Sequence, residues 1–314
     1  MRALRTLLAL LLAAGAFTLV YRWAAGAPGP SFPGRVDAPA WTGGGPAVLV
    51  DDAHWNRGTS RNRLVAFAQL AAADGYRVLE GANATRAETL SDARVSVVVN
   101  PLGVPGLLRR AGARFGLGEL AFFDEDGLMQ QEIETTAQWV ENGGSLLLAA
   151  DEAPDARGAR GLAARFGVTM RGRLVVDVGH AEAASPAWLL FSRENGLIGT
   201  HPITDGGTGL PPVNRVVTFG GQALETPPDG TVLLRLSPSA SEVRRAGDPP
   251  TSGQRVDGLA MAVAIERGRG RVVVLGDSHV LTRDPGPGDG TGLEWPGSNN
   301  TRFVRAVMRW LSRR

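Results

Sequence analysis

An α/β fold with a mostly parallel sheet is what the sequence of this 314-residue chain predicts, on three observations. Short apolar runs alternate with stretches of helical periodicity, turn-forming pairs separate them, and several runs end abruptly in polar residues. The first run, 47–51, leads into Asp51-Asp-Ala-His-Trp-Asn56, and a helix follows over 61–73 with Ser60 as its cap and Asp74-Gly75 as its stop. Residues 76–79 and 95–100 read as strands, 125–141 as a helix ended by Asn142-Gly143-Gly144, 145–150 as a strand and 157–166 as a helix. Beyond Val168 the strands shorten, at 173–178, 188–192, 213–219 and 232–236. Residues 259–265 and 271–276 then pair as a β-hairpin across Arg267-Gly-Arg-Gly270. A closing amphipathic helix, 303–311, turns Phe303, Val307, Trp310 and Leu311 inward.

Three regions follow from composition. In residues 1–23, Arg2 and Arg5 precede an uncharged run over 6–21, the pattern of a basic region before an apolar membrane segment. An uncleaved anchor with Arg22-Trp23 at the interface is favoured over a cleaved signal at Ala24-Ala-Gly-Ala27, because Pro28 would follow that cut. Positive charge before the run places the rest of the chain outside the cytoplasm, at the cytoplasmic membrane, or secreted if cleavage occurs. Residues 24–46 are rich in Pro and Gly and read as an extended tether, and 47–314 as the folded domain.

Composition also removes whole classes of chemistry. There is no cysteine, so no thiol nucleophile, disulfide or zinc-thiolate site exists. All 33 basic residues are arginine, which excludes a Schiff base or a phosphate-loop lysine. Four of those arginines fall in positions 1–35, which hold no acid, so the remainder is slightly acidic and no nucleic-acid partner is expected. No cofactor is expected either, although a divalent metal suits the polar segments described next.

In an open α/β sheet, ligands bind at the carboxyl ends of the strands. Two distant segments, Asp52-Ala-His54 with Asn56 and Gly276-Asp-Ser-His279, leave strands at that position. Asp52, His54, Asn56, Asp151, His201, Asp277 and His279 are therefore the candidate ligand-binding residues for an unidentified small ligand. Asp52, His54, Asp277 and His279 are the candidate metal ligands, although no tight spacing such as His-Glu-x-x-His occurs. If the chain is an enzyme, Ser278, His54 and His279 are the candidate catalytic residues. His180 lies in an Ala-rich loop, is expected to have no acidic partner except Glu182, and reads as structural.

Two resemblances bear on these segments. Gly276-Asp-Ser278 resembles the nucleophile block of the GDSL-type esterases. That block, however, opens its domain and is followed by a histidine, whereas no histidine follows His279 here. A serine hydrolase would have to take its base from His54 or His201. The set Val48-Leu-Val-Asp-Asp-Ala-His-Trp-Asn56, Val99-Asn-Pro-Leu102, Trp139-Val-Glu-Asn-Gly-Gly-Ser-Leu-Leu-Leu148, Ala150-Asp-Glu-Ala-Pro154, His201-Pro-Ile-Thr204 and Gly276-Asp-Ser-His279 resembles a bacterial domain family of unknown function. That family has the class I glutamine-amidotransferase-like fold and is similar to auxiliary proteins of gliding-motility-type ABC transporters. The resemblance implies a flavodoxin-like sandwich, a transporter or envelope partner, and a binding or accessory role, because an amidotransferase needs the cysteine this chain lacks.

Overall fold

Strands made mostly of aliphatic residues have to be covered on both faces of a sheet, and two inner strands meet that condition. Both β3 (Val95–Val99) and β4 (Ser145–Ala149) are buried at every position. In this computed structural model, residues 30–83, 85–103, 126–153, 155–183, 185–244, 247–284 and 291–314 are described. β1 (Ala47–Asp51) lies parallel to β3 on one side and to β2 (Arg77–Gly81) on the other, and β14 (Gly270–Leu275) lies parallel to β4. The parallel part of the sheet therefore has the order β2-β1-β3-β4-β14.

Beyond β14 the sheet continues antiparallel. The predicted hairpin forms between β13 (Ala260–Arg267) and β14, and β9 (Gln222–Glu225), β5 (Thr169–Val176), β11 (Ser241–Val243) and β12 (Gln254–Arg255) follow in that order, with β10 (Thr231–Arg235) also pairing β13. The other shorter strands stand apart, as a three-stranded sheet of β6 (Ala181–Glu182), β7 (Ser185–Ser192) and β8 (Arg215–Phe219), and a pair formed by β15 (Arg283–Asp284) and β16 (Thr291–Gly292).

Helices cover both faces. On one face, α1 (Val65–Ala73) and α5 (Asn300–Ser312) pack Phe67, Leu70, Phe303, Val307 and Leu311 against Val48, Val95, Val97 and Val273. On the other, α3 (Gln130–Glu141) and α4 (Arg160–Arg165) pack Ile133, Val140 and Leu162 against Val98, Leu146, Leu148 and Val274. A short α2 (Ala87–Ser91) lies between β2 and β3. The stops at Asp74-Gly75 and Asn142-Gly143 are as predicted, with Gly75 and Gly143 both at positive φ.

Two expectations change. Ser60 does not cap α1, which begins at Val65 without a side-chain cap; its hydroxyl bonds Asp52 instead. Residues 30–46, expected as part of an extended tether, lie against the domain as a strap: Phe32, Val36 and Trp41 pack on the α1/α5 core and Ala40 is buried. The Pro/Gly content hides these apolar contacts because they are spaced irregularly. The apolar run 6–21 lies outside the described residues, and no helix among the described residues is long and apolar enough to cross a membrane.

The strap is held by a buried carboxylate. Asp74, at the end of α1, accepts from the Ala40 amide at 3.0 Å, from Arg305 at 2.8 Å and from Arg309 at 3.0 Å, and both arginines also reach carbonyls of the strap. Breaking a buried ion pair by removing one charge leaves the other stranded. Asp74→Asn should therefore lower the free energy of unfolding in urea by about 3–5 kcal/mol. A change no larger than that of an exposed surface substitution would show that the strap adds nothing to stability.

Candidate functional site

Each of the four adjacent parallel strands β1, β3, β4 and β14 ends in a polar residue or meets one within two positions of its end (Asp51, Asn100, Asp151 and Asp277), and adjacency in the sheet brings these ends onto one rim. The middle of the rim is Asp151, two residues past β4 and 2% exposed. One of its carboxylate oxygens accepts the Ser278 amide at 2.6 Å, and the other accepts the Ser278 hydroxyl at 2.8 Å and the Asn100 side-chain amide at 2.8 Å. Asn100, directly after β3, adopts φ +44°, a left-handed conformation that asparagine tolerates better than most residues. Its side chain spans the gap, returning a bond from Oδ1 to the Asp151 amide at 2.9 Å and donating to Ser278 Oγ at 3.0 Å.

Next to this hub, Asp277 and His279 form a second pair. Asp277 Oδ1 stands 2.9 Å from both the amide and Nδ1 of His279, and its Oδ2 accepts the Phe219 amide at 2.8 Å. The β8–β9 turn can approach this closely because Gly221, at φ +95°, has no Cβ; one placed there would lie 2.4 Å from the Gly276 carbonyl oxygen. His279 Nδ1 is 3.7 Å from Asp151 and Nε2 is 4.0 Å from Asp284. Burial opposes charge on the imidazole, but the Asp151 and Asp277 carboxylates outweigh it and hold the His279 pKa well above its usual value. For Asp151, burial is likewise outweighed, here by His279, the Ser278 amide and Asn100, so its carboxyl stays ionised well below the usual range. Glu152 behaves oppositely: burial pushes its pKa up.

The β1 end forms a separate cluster. His54 is buried, with Nδ1 at 2.8 Å from Asp51 and Nε2 at 3.0 Å from Glu132 of α3, while Asn56 donates to Asp51 and to the Val99 carbonyl. Burial opposes the charge on His54, but Asp51 and Glu132 together raise its pKa to about 9. Both ring nitrogens are thus occupied by carboxylates.

The expected shared site of His54 and His279 is therefore not assembled. Both stand on the same rim, but β3 and β4 separate their strands by three inter-strand spacings of about 4.8 Å. Among the described residues, the group whose possible ligand atoms lie within 4.8 Å of one another is Asp151, Asp277 and His279. Asp277 and His279 of the expected metal set are joined there by Asp151, and neither Asp52 nor His54 belongs to it. Asp51, not Asp52, faces His54, because successive strand residues point to opposite faces; Asp52 binds the Ser60 amide and hydroxyl instead. His201 is also displaced. Its ring packs edge-on against Trp310 at 4.9 Å, and Trp310 is covered by Arg271 near the amino end of β14, a strand's length from Asp277. His180, read as structural, does have an acidic partner, Asp177, at 3.0 Å.

Ser278 is 1% exposed and its hydroxyl is bonded to Asp151 and Asn100, with no imidazole on it. Besides Asp51, three residues of the rim were not expected from the sequence. Asn100 had a signal, a polar residue closing a valine-rich run, whereas Glu132 sits in a polar helix 78 residues from His54 and had none. The third is Gln222, whose side-chain amide donates to the carbonyls of Ala150 and Asp151 from a strand too short to stand out.

No protein-family model matches the chain and no curated protein matches it in sequence. Its fold is similar to the mmIFT52 N-terminal domain, with a TM-score of 0.57 and 13% identity over 84% of this chain and 96% of that one. Solved structures that also align include a ThuA-like protein from Bacteroides uniformis, at TM-score 0.40 and 15% identity over 89% and 95% of the two chains. Another is a GMP synthase component from Thermoplasma acidophilum, at TM-score 0.39 and 11% identity over 86% and 99%. At 13% identity the likeness to the mmIFT52 domain is one of fold.

The His54 cluster carries a pH signature. A histidine whose folded pKa of about 9 exceeds its unfolded value of 6.5 adds stability that is complete below pH 6.5 and is lost as pH rises through about 9. The melting temperature of the wild type should fall toward that of His54→Gln between pH 6.5 and 10. Parallel pH profiles for the two proteins would show that His54 is not held charged.

Proposed function

We propose that the chain is a non-catalytic binding or accessory domain of the amidotransferase-like, flavodoxin-type α/β class, anchored in the cytoplasmic membrane by residues 6–21 with its domain outside the cytoplasm. It would serve a transporter or another envelope protein, or hold a small ligand. The observation that carries this reading is the state of Ser278. A nucleophilic serine needs a base to take its proton and open space for an acyl carbonyl. This hydroxyl is sealed from water and donates to a carboxylate that stays ionised.

The strap supports a position close to the membrane. With residues from about 30 onward docked on the domain, the segment 22–29 between apolar run and strap can reach no more than about 28 Å. One observation favours a second reading, metal-assisted hydrolysis: two carboxylates and an imidazole converge in the Asp151, Asp277 and His279 group, a donor set that suits a divalent ion. Against it, His279 Nδ1 is engaged by Asp277 and the ring is held protonated, so an ion would have to displace that proton.

Three measurements separate these readings. The purified protein should hydrolyse no ester above the uncatalysed rate, and Ser278→Ala should lose about 1–3 kcal/mol of stability as the Asp151 bond disappears. Turnover abolished by that substitution would restore the serine hydrolase. Titration with zinc or manganese should give no stoichiometric binding, whereas 1:1 uptake lost in Asp277→Asn would establish the metal reading. In cells the chain should fractionate with membranes and be cut by protease added outside the cytoplasmic membrane; protection from that protease would place the domain inside.

A further inference from the structure

The opposite end of the same parallel strands gathers arginines. Arg94 precedes β3, Arg269 is at the tip of the β13–β14 turn, Arg271 is near the start of β14, and Arg313 follows α5. Arg94, Arg269, Arg313 and Glu266, with the backbone of Gly143 and Gly270, line a cavity of about 440 Å³, within the size range of small-molecule sites. The Arg267-Gly-Arg-Gly-Arg271 turn reaches this position because its glycines carry no side chain. A Cβ at Gly268 would lie 2.6 Å from the Glu141 carbonyl oxygen, and one at Gly270 would lie 2.0 Å from that of Val140. The turn is thereby pressed onto the end of α3, with the Arg269 amide donating to Glu141 at 2.9 Å.

These arginines are short of counter-charge. Arg94 spends one bond on the Gly143 carbonyl at 3.0 Å and Arg313 one on the Arg269 carbonyl; neither has a carboxylate partner among the described residues. The side chain of Arg269 has no hydrogen bond or ion pair there at all. Arg271 has Glu266, 3.3 Å away, and otherwise caps α5 through the Trp310 carbonyl at 2.6 Å. The carboxyl ends of α3 and α5 each bring about half a negative charge, so an excess of roughly two positive charges is left on the rim. Burial lowers the pKa values of Arg94 and Arg271 and the Arg313 charge lowers them further, as expected where like charges are packed together. Forked guanidinium donors without protein acceptors match the geometry of phosphate oxygens.

We infer that this cavity binds a small, multiply charged oxyanion of the phosphate class, taken as a free solute rather than as a lipid headgroup. The choice of source rests on the proposed anchor: Ser31 and Phe32, where the strap meets the domain, touch Arg283 and Gln69, so the chain leads toward residues 6–21 from a place remote from the arginines. The anion site itself does not depend on the anchor.

Calorimetric titration of the full chain with inorganic pyrophosphate tests this. Saturable 1:1 binding that weakens with salt is expected, together with a loss of at least about tenfold in Arg269→Gln/Arg313→Gln. Arg61→Gln, which removes an exposed arginine paired with Glu80, should bind like the wild type. Unchanged melting temperatures would show that the variants fold, and Arg269→Gln alone, lacking any side-chain contact to lose, keeps the test available if the double variant does not. No saturable binding up to about 10 mM, or equal binding by wild type and Arg269→Gln, would overturn the site. Tighter binding of monomeric dihexanoyl phosphatidylglycerol than of pyrophosphate would overturn the free-solute source. Membrane fractionation reports separately on the anchor.

Discussion

A carboxylate with almost no contact with water has to be surrounded by donors, and Asp151 imposes that condition on the carboxyl end of the sheet. Its donors come from two other strands, Asn100 after β3 and Ser278 after β14, so satisfying one charge fixes the spacing of three chain ends. Asn100 holds a left-handed conformation to comply, and Gln222 ties the backbone on either side of Asp151 to the antiparallel half. Gly221 lets the β8–β9 turn come close enough for the Phe219 amide to serve Asp277. The rim is rigid because each polar group is also another's partner.

The same economy leaves the polar residues that stand out in the sequence bonded to one another. His54 is clamped between Asp51 and Glu132, Ser278 is bonded to an ionised carboxylate, and His279 shares its proton with Asp277. Groups with spare bonding capacity lie at the other end, where Arg269 and its neighbours face a cavity with too few carboxylates. The molecule is thus polar along its strand axis, with internally matched charge at the carboxyl ends and unmatched positive charge at the amino ends. The strap held by Asp74 adds a mechanical constraint, since it ties residues 37–40 to the end of α1 and to α5.

Much of the scaffold was legible because its physics is local. The apolar runs of β3 and β4, the stops at Gly75 and Gly143, the β13–β14 hairpin and the inward face of α5 each follow from residues within a few positions of one another. The strap was not legible, because Phe32, Val36 and Trp41 have no period and find their contacts on helices distant in sequence. Nor was β9, a four-residue strand whose Gln222 is recognisable only from what it touches.

By itself the sequence determined the α/β class, the placing of polar segments after apolar strands, and the exclusion of cysteine and lysine chemistry, since composition and short-range periodicity suffice for these. Which acid meets which imidazole was decided only by the tertiary structure. Strand order put β3 and β4 between His54 and His279, joined Asp151 to Asp277, gave His54 a partner 78 residues away in Glu132, and carried His201 to the far end. Charge pairing acts over a few ångströms in space, and separation along the chain does not report that distance.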